Sequence, residues 1–229
     1  DFIIIDTLEE YENLIIVKDS EGRDSIEKIP DPLNIKKVRV DKDKPYIFIY
    51  HTHATETFIP HKGNNYHSTD NRINMVNIGE ILTKVLEANN HNVIHEKTHH
   101  DIPSYNQSYS RSLNTLNKVS KEEPNLKFFF DLHRDGVDED KPNFKTRLAN
   151  FKTKIDGQDS ATFSLVVGPH NPNYKELLNF AKYLKAVSDA VYPGLCTGIV
   201  VKKVGKYNLF VSDYAALFEI GCNHNTLDE

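Results

Sequence analysis

The chain has 229 residues, a formal net charge of −5, 38% apolar and 27% charged residues, which is enough for a hydrophobic core and excludes a generally disordered polypeptide. Its charges are dispersed with no basic block, so nucleic acid finds no electrostatic footprint, and no run approaches the roughly 18 consecutive apolar residues that a transmembrane helix needs. Two cysteines, Cys196 and Cys222, exclude a cysteine-rich zinc ribbon and demand no disulfide. No signal peptide opens the sequence, so a mature, cytosolic or truncated form is expected.

Residues 1–44 hold two short apolar runs, Phe2 to Ile5 and Leu14 to Val17, with charged stretches between and after them and prolines at 30 and 32. They predict an N-terminal arm of one or two strands packed on a main domain spanning 45–229. In that domain Ile47, Phe48, Ile49 and Tyr50 form a β-branched and aromatic run suited to a strand covered on both faces. The run leads directly into His51, His53 and Glu56. A polar loop with Pro60, Gly63, Asn64 and Asn65 follows to Asp70.

A helix is predicted over 71–89, capped at Asp70 or Asn71, with Met75, Ile78, Leu82, Val85 and Leu86 on one face. Gly79 interrupts it at a cost of about 1 kcal/mol relative to alanine. A weaker strand starts at Asn92, and the adjacent histidines 99 and 100 read as surface residues. A second helix runs through Leu113, Leu116 and Val119 and stops before Pro124. Leu126 to Phe130 predicts another buried strand, ending in Asp131, His133 and Arg134; an acidic loop over 137–146 comes next. Strand segments over 150–155 and 161–167 flank a turn at Asp156 and Gly157. A long helix carries Leu177, Leu178, Ala181, Leu184, Val187 and Val191 inward and ends at Pro193 and Gly194. Strands are expected over 197–204 and 215–220. This alternation is that of an α/β protein with a mixed, mostly parallel sheet flanked by helices.

Polar residues stand at the carboxyl ends of three of these strands, where open α/β sheets bind their ligands. They are His53 with Glu56, then His133, then Glu219. A catalytic zinc needs three protein ligands and an open position, and two histidines with one glutamate are an established set. That assigns His53, Glu56 and His133 to the metal and Glu219 to the general base. His51 rivals His53, because the two point to the same side if the strand stays extended. Competing motifs fail. His133, Arg134 and Asp135 spell a kinase tripeptide without its Gly-rich loop, the acidic loop misses the EF-hand spacing, and no Gly-x-Ser-x-Gly elbow exists. Cys222 with His224 reads as a small buried residue beside a site, not a nucleophile.

The stretch from Tyr50 to Phe58, the helix from Asn74 to Glu80, Tyr105 to Ser112, Val166 to Tyr174, and Glu219 to Gly221 together resemble the stage II sporulation protein P family. The likeness covers Pro45 to the C-terminus. It implies a fold like the zinc N-acetylmuramoyl-L-alanine amidases and hydrolysis of the bond between the muramic lactyl group and L-alanine in peptidoglycan, with cutting inside the stem peptide as a further activity. It also implies anchoring on the outer side of the cell membrane by an N-terminal helix not contained in this sequence, and action beside stage II sporulation proteins D and M during engulfment. One departure is plain. Where ordinary amidases carry a ligand glutamate near the first helix, this sequence offers only Asp70. The pattern His53, Glu56, His133 and Glu219 instead resembles the zinc carboxypeptidases, which makes Glu56 the carboxylate ligand. Arg134 is a candidate for holding a substrate carboxylate or a developing oxyanion, with an ordinary surface arginine as the alternative. A metallocarboxypeptidase-like peptidase and a non-catalytic wall-binding module are the alternatives.

Overall fold

The computed structural model describes residues 3–5, 38–59 and 66–229. The apolar run from Leu14 to Val17 and the loop residues 60–65 lie outside the described residues. The chain forms β1 (Ile3–Ile5), β2 (Ile47–Tyr50), α1 (Met75–Ala88), β3 (Val93–His95), α2 (Ser108–Glu122), β4 (Phe128–Asp135), α3 (Phe144–Ala149), β5 (Lys152–Ile155), β6 (Gln158–Ala161), β7 (Phe163–Val167), α4 (Tyr174–Val191), β8 (Cys196–Val201) and β9 (Tyr214–Cys222). Seven strands make one sheet in the order β1-β8-β7-β9-β4-β2-β3. The pairs β2/β3, β2/β4, β4/β9 and β7/β8 are parallel, whereas β1/β8 and β7/β9 are antiparallel. The expected α/β architecture is therefore present, with a mixed and mostly parallel sheet.

Alternation along β2 explains how the sheet is covered. Phe48 and Tyr50 join Phe129, Leu217, Leu116 of α2 and Leu177 and Phe180 of α4 in one buried cluster. Ile47 and Ile49 point the other way, into a cluster with Met75 of α1, Leu132 and Phe58. A strand with both faces apolar must be sandwiched by helices, because each fully buried side chain of this size is worth about 1.5–3 kcal/mol. α2 and α4 cover one face and α1 covers the other.

Several boundaries differ from the sequence expectation. β4 runs on to Asp135 and β9 to Cys222, so His133 and Glu219 lie within strands and face each other across the β4/β9 ladder. α1 is capped by Asn74, whose side chain accepts from the Val76 N–H at 3.0 Å, and not by Asp70 or Asn71. Val85 is outside its inner face and exposed. The region expected to be an acidic loop gives way to α3. Asp156 and Gly157 both take positive φ, 55° and 81°, the pairing that a two-residue hairpin turn requires between β5 and β6. After that hairpin β7 leaves it and joins the main sheet.

Gly79 has a packing reason that overrides its helix propensity. A Cβ built there would stand 2.4 Å from Nε2 of His95 and 2.6 Å from Nε2 of His51. Those two nitrogens are 2.8 Å apart in a part-buried contact between the residue after β2 and the end of β3, and His51 Nδ1 lies 3.3 Å from the Leu132 carbonyl oxygen. Gly79→Ala would gain about 1 kcal/mol of helix propensity, but forcing the histidine pair apart is overpacking, which costs about 1–3 kcal/mol. The variant should melt lower by a few degrees, at ~2–4 °C per kcal/mol for a chain of this size; a raised melting temperature would contradict the packing described.

Candidate active site

The site lies over the adjacent strands β9, β4 and β2, on the sheet face covered by α2 and α4. Asp131 and His133 alternate onto this face of β4, and the parallel register sets Tyr50 of β2 opposite Asp131 and Glu219 of β9 opposite His133. The sheet thus fixes His133 beside Glu219 through backbone geometry alone.

His53 and Glu56 arrive by a different route. β2 ends at Tyr50, and the chain turns through residues 52–55, closed by the Glu56 N–H on the His53 carbonyl at 3.3 Å. Two buried aspartates hold the turn. Asp131 accepts from Thr52 N at 2.8 Å and Thr52 Oγ1 at 2.6 Å, and Asp101 accepts from Thr55 N at 3.1 Å and Thr55 Oγ1 at 2.5 Å. Beyond the turn, the Glu56 carbonyl accepts from Met75 N at 3.0 Å, which ties it to the start of α1.

This turn separates the two candidate histidines. His51 keeps the strand alternation and points to the α1 face with Ile47 and Ile49, against His95. His53 crosses to the opposite face, where its ring centroid is 5.1 Å from that of His133. The expectation that His51 and His53 share a side fails because the extended strand ends before either of them. His100 also departs from its surface reading: it is buried, with Nδ1 2.8 Å from the His51 carbonyl oxygen and Nε2 2.9 Å from Thr115 Oγ1.

Glu56 and His133 meet at the centre. Glu56 Oε2 is 3.8 Å from His133 Nδ1, and the same oxygen accepts the Arg134 main-chain N–H at 3.2 Å. On its other side His133 Nε2 is 3.0 Å from Asp131 Oδ1. Burial disfavours charge on His133, but Asp131, Glu56 and Glu219 outweigh it and hold its pKa up to about 10. Burial likewise opposes ionisation of Asp131, yet His133 and the Thr52 hydrogen bonds keep its pKa below the ordinary value. Burial, with a smaller push from His133, lowers His53 to about 4, so that imidazole is neutral. Glu219 is raised to about 7, first by burial and then by Glu56 and Asp135, against the pull of His133 and Lys202.

Arg134 is buried. Its guanidinium donates to the carbonyls of Thr57 at 3.0 Å, Tyr66 at 2.9 Å and Asp135 at 3.2 Å. It clamps the backbone on both sides of the undescribed loop residues. Cys222 is buried, and its Sγ accepts from His224 N at 3.4 Å. Asp131 and Asp101 received no role from the sequence. Asp131 could have been found, since a residue two before a strand histidine shares its face; Asp101 lies 46 residues from the Thr55 it holds, and no local pattern announces it.

The donor types suit zinc, which takes imidazole nitrogen and carboxylate oxygen. Among the four candidate site residues, three buried polar atoms have no hydrogen-bond partner: His53 Nδ1, Glu219 Oε2 and His133 Nε2, whose 3.0 Å approach to Asp131 Oδ1 is an ion pair without hydrogen-bond geometry. The 3.8 Å between His133 Nδ1 and Glu56 Oε2 is too long for a hydrogen bond. It is close to the roughly 3.3 Å that separates two donors on one tetrahedral ion with bonds of about 2.0–2.1 Å. Three carboxylates around His133 favour a cation. Among the described residues no three His, Cys, Asp or Glu side chains already converge on one point, so a side chain must adjust for an ion to be held.

The family model described as Stage II sporulation protein P (SpoIIP) matches residues 7–229. Stage II sporulation protein P of Bacillus subtilis (strain 168) is 31% identical over 206 residues, an alignment that covers 82% of this chain and 48% of that protein. The chain thus spans about half the length of this curated relative. No solved structure matches, and among the described residues no helix is long and apolar enough to cross a membrane. With a family model covering nearly all of its length and such a relative beside it, the chain belongs to the stage II sporulation protein P family.

Proposed function

We propose that this chain is the catalytic part of a zinc-dependent peptidoglycan hydrolase of sporulation, an N-acetylmuramoyl-L-alanine amidase. The observation that carries the reading is the meeting of His53, Glu56, His133 and Glu219 on one sheet face, with unpartnered buried atoms on His53 and Glu219. An extracytoplasmic location and stage II sporulation proteins D and M as partners rest on the family resemblance.

His53, Glu56 and His133 would hold the metal. A zinc ion bound there supplies Lewis-acid polarisation of the scissile carbonyl and makes water a nucleophile at neutral pH. Asp131 would position His133: its carboxylate is paired with Nε2 at 3.0 Å, which favours keeping a proton on that nitrogen and would leave Nδ1, on the Glu56 side, to exchange its proton for a metal. The Arg134 N–H fixes one oxygen of Glu56 in the same way. Glu219 lies opposite His133 in the ladder and cannot leave the sheet, so its carboxylate stays beside the ligands without needing to be one. It takes the proton of the attacking water and returns it to the departing alanine nitrogen, and the lactyl carbonyl becomes a carboxylate.

Zinc content checks the ligand set. His133→Ala should lose the metal, whereas Asp131→Asn should keep it with affinity weakened about 10–100-fold in a chelator competition. Stoichiometric zinc in the His133 variant would refute the assignment, and unchanged affinity in the Asp131 variant would remove its positioning role.

Turnover checks the base. Glu219→Gln preserves shape and removes basicity, so fold and zinc should survive while hydrolysis of purified sacculi falls by about 10²–10⁴. Loss of zinc in that variant would make Glu219 a ligand. Mass analysis of the wild-type digest should show new free N-terminal L-alanine on released peptides and uncut glycan strands. Cleavage only between stem-peptide residues would instead make the chain a peptidase, and an intact wall would leave a binding module.

A further inference from the structure

The floor of the site is polar and buried, but the side by which it meets solvent is aromatic. Tyr105 lies in the short 3-10 turn Tyr105–Gln107 that leads into α2. Its ring stacks face to face on His53, with centroids 4.0 Å apart and planes 10° from parallel, and meets the His67 ring edge-on at 6.0 Å. Tyr105 is 51% exposed, whereas His53, Glu56 and His133 are 6%, 5% and 3% exposed. One turn further along α2, Tyr109 packs edge-on against His53 at 5.6 Å and against Tyr207 at 5.7 Å, behind the first ring. Tyr105 thus covers a candidate ligand with one side of its ring and presents the rest outward.

An aromatic ring half in water, at the mouth of a buried polar site, is not there for core packing. Its backbone is held firmly: Ser108 Oγ donates to the Tyr105 carbonyl at 2.6 Å, and Arg111 donates to the carbonyls of Ser104 and His100. A rigid, neutral, flat surface beside the reacting centre suits the apolar face of a sugar ring, and tyrosine offers such area at low entropic cost.

We infer that Tyr105 is a substrate-contacting residue whose outward ring face takes the muramic sugar ring flanking the scissile amide. The inference rests on the wall-hydrolase reading and adds to it a glycan subsite, which makes the sugar part of what is recognised.

The chain has no tryptophan, so Tyr105→Trp in the Glu219→Gln background places a single indole at the subsite and allows binding to be read without turnover. A soluble disaccharide-peptide muropeptide should change its emission in a saturable way, and the same stem peptide without sugar should not. An equal response to the sugar-free peptide, or no response to either, overturns the inference. With Glu219 intact, Tyr105→Phe should keep KM for soluble muropeptide within about twofold, and Tyr105→Ala should raise it about tenfold with kcat nearly unchanged. A phenylalanine variant as impaired as the alanine one would place the contact in the hydroxyl. A fall in kcat at constant KM would make Tyr105 a support for His53 only. Zinc content and melting temperature of each variant separate either result from misfolding. If emission responds while the wild-type protein cleaves nothing, the hydrolase reading fails and the glycan subsite stands; cleavage with no effect at Tyr105 does the reverse.

Discussion

Asp131 is fully buried, and its carboxylate must be answered by neighbours, because an unpaired charge in that position costs on the order of several kcal/mol. Three groups answer it: Thr52 through main chain and hydroxyl, and His133 through Nε2. The first two pin the turn that follows β2, and the third pins a candidate metal ligand on β4. With its proton on Asp131, the Thr52 hydroxyl accepts from Ser112 Oγ of α2 at 3.0 Å, and Ser112 itself accepts from Asn208 in the segment between β8 and β9. One carboxylate thereby couples the turn, the central strand, the covering helix and a distant loop. Removing any member leaves the others with unmet polar atoms, so the arrangement is held as a unit.

The site has two halves that are fixed by different physics. His133 and Glu219 are set by the β4/β9 ladder, whose backbone hydrogen bonds do not depend on which side chains those strands carry. His53 and Glu56 stand on a turn outside the sheet ladder, held by a few backbone bonds together with the side chains of Asp131, Asp101 and Arg134. Arg134 therefore serves the site through geometry. Three of its donors are committed to the carbonyls of Thr57, Tyr66 and Asp135, and its main-chain N–H reaches Glu56. An arginine in that position positions a carboxylate more directly than it could grip a substrate.

Much of this was legible in the sequence because apolar runs have to be buried. Ile47 to Tyr50 and the run before Asp131 could only be covered strands, and the alternation with helices required a mostly parallel sheet. The convergence of His53, His133 and Glu219 on one side of the sheet was less accessible. It depends on strand order, with β9, β4 and β2 adjacent although β9 is last in the chain, and no local pattern encodes that. The separation of His51 from His53 was hidden for a local reason. Two-residue periodicity holds only while the backbone is extended, and Thr52 bends the chain by hydrogen-bonding an aspartate 79 residues away. The packing role of Gly79 is hidden for the same kind of reason. Propensity assigns glycine a cost, whereas the nearby His51 and His95 rings, from two other elements, leave no room for any larger residue.

Electrostatics supplies the remaining step. Glu56, Asp131 and Glu219 surround His133, and the adjacent Arg134 directs its guanidinium at carbonyl oxygens. The protonated imidazole then balances the cluster, and this is why three carboxylates raise its pKa against the effect of burial. At His53 burial and the push of His133 outweigh the pull of Asp131 and Asp101, so it stays neutral with an unpartnered nitrogen. A divalent cation would take over the balancing role from the proton on His133, because metal binding and protonation compete for the same lone pair. Two histidines of opposite protonation, side by side over one acidic floor, are what such an exchange requires: one nitrogen already open, and one held by a proton that a stronger positive charge can displace.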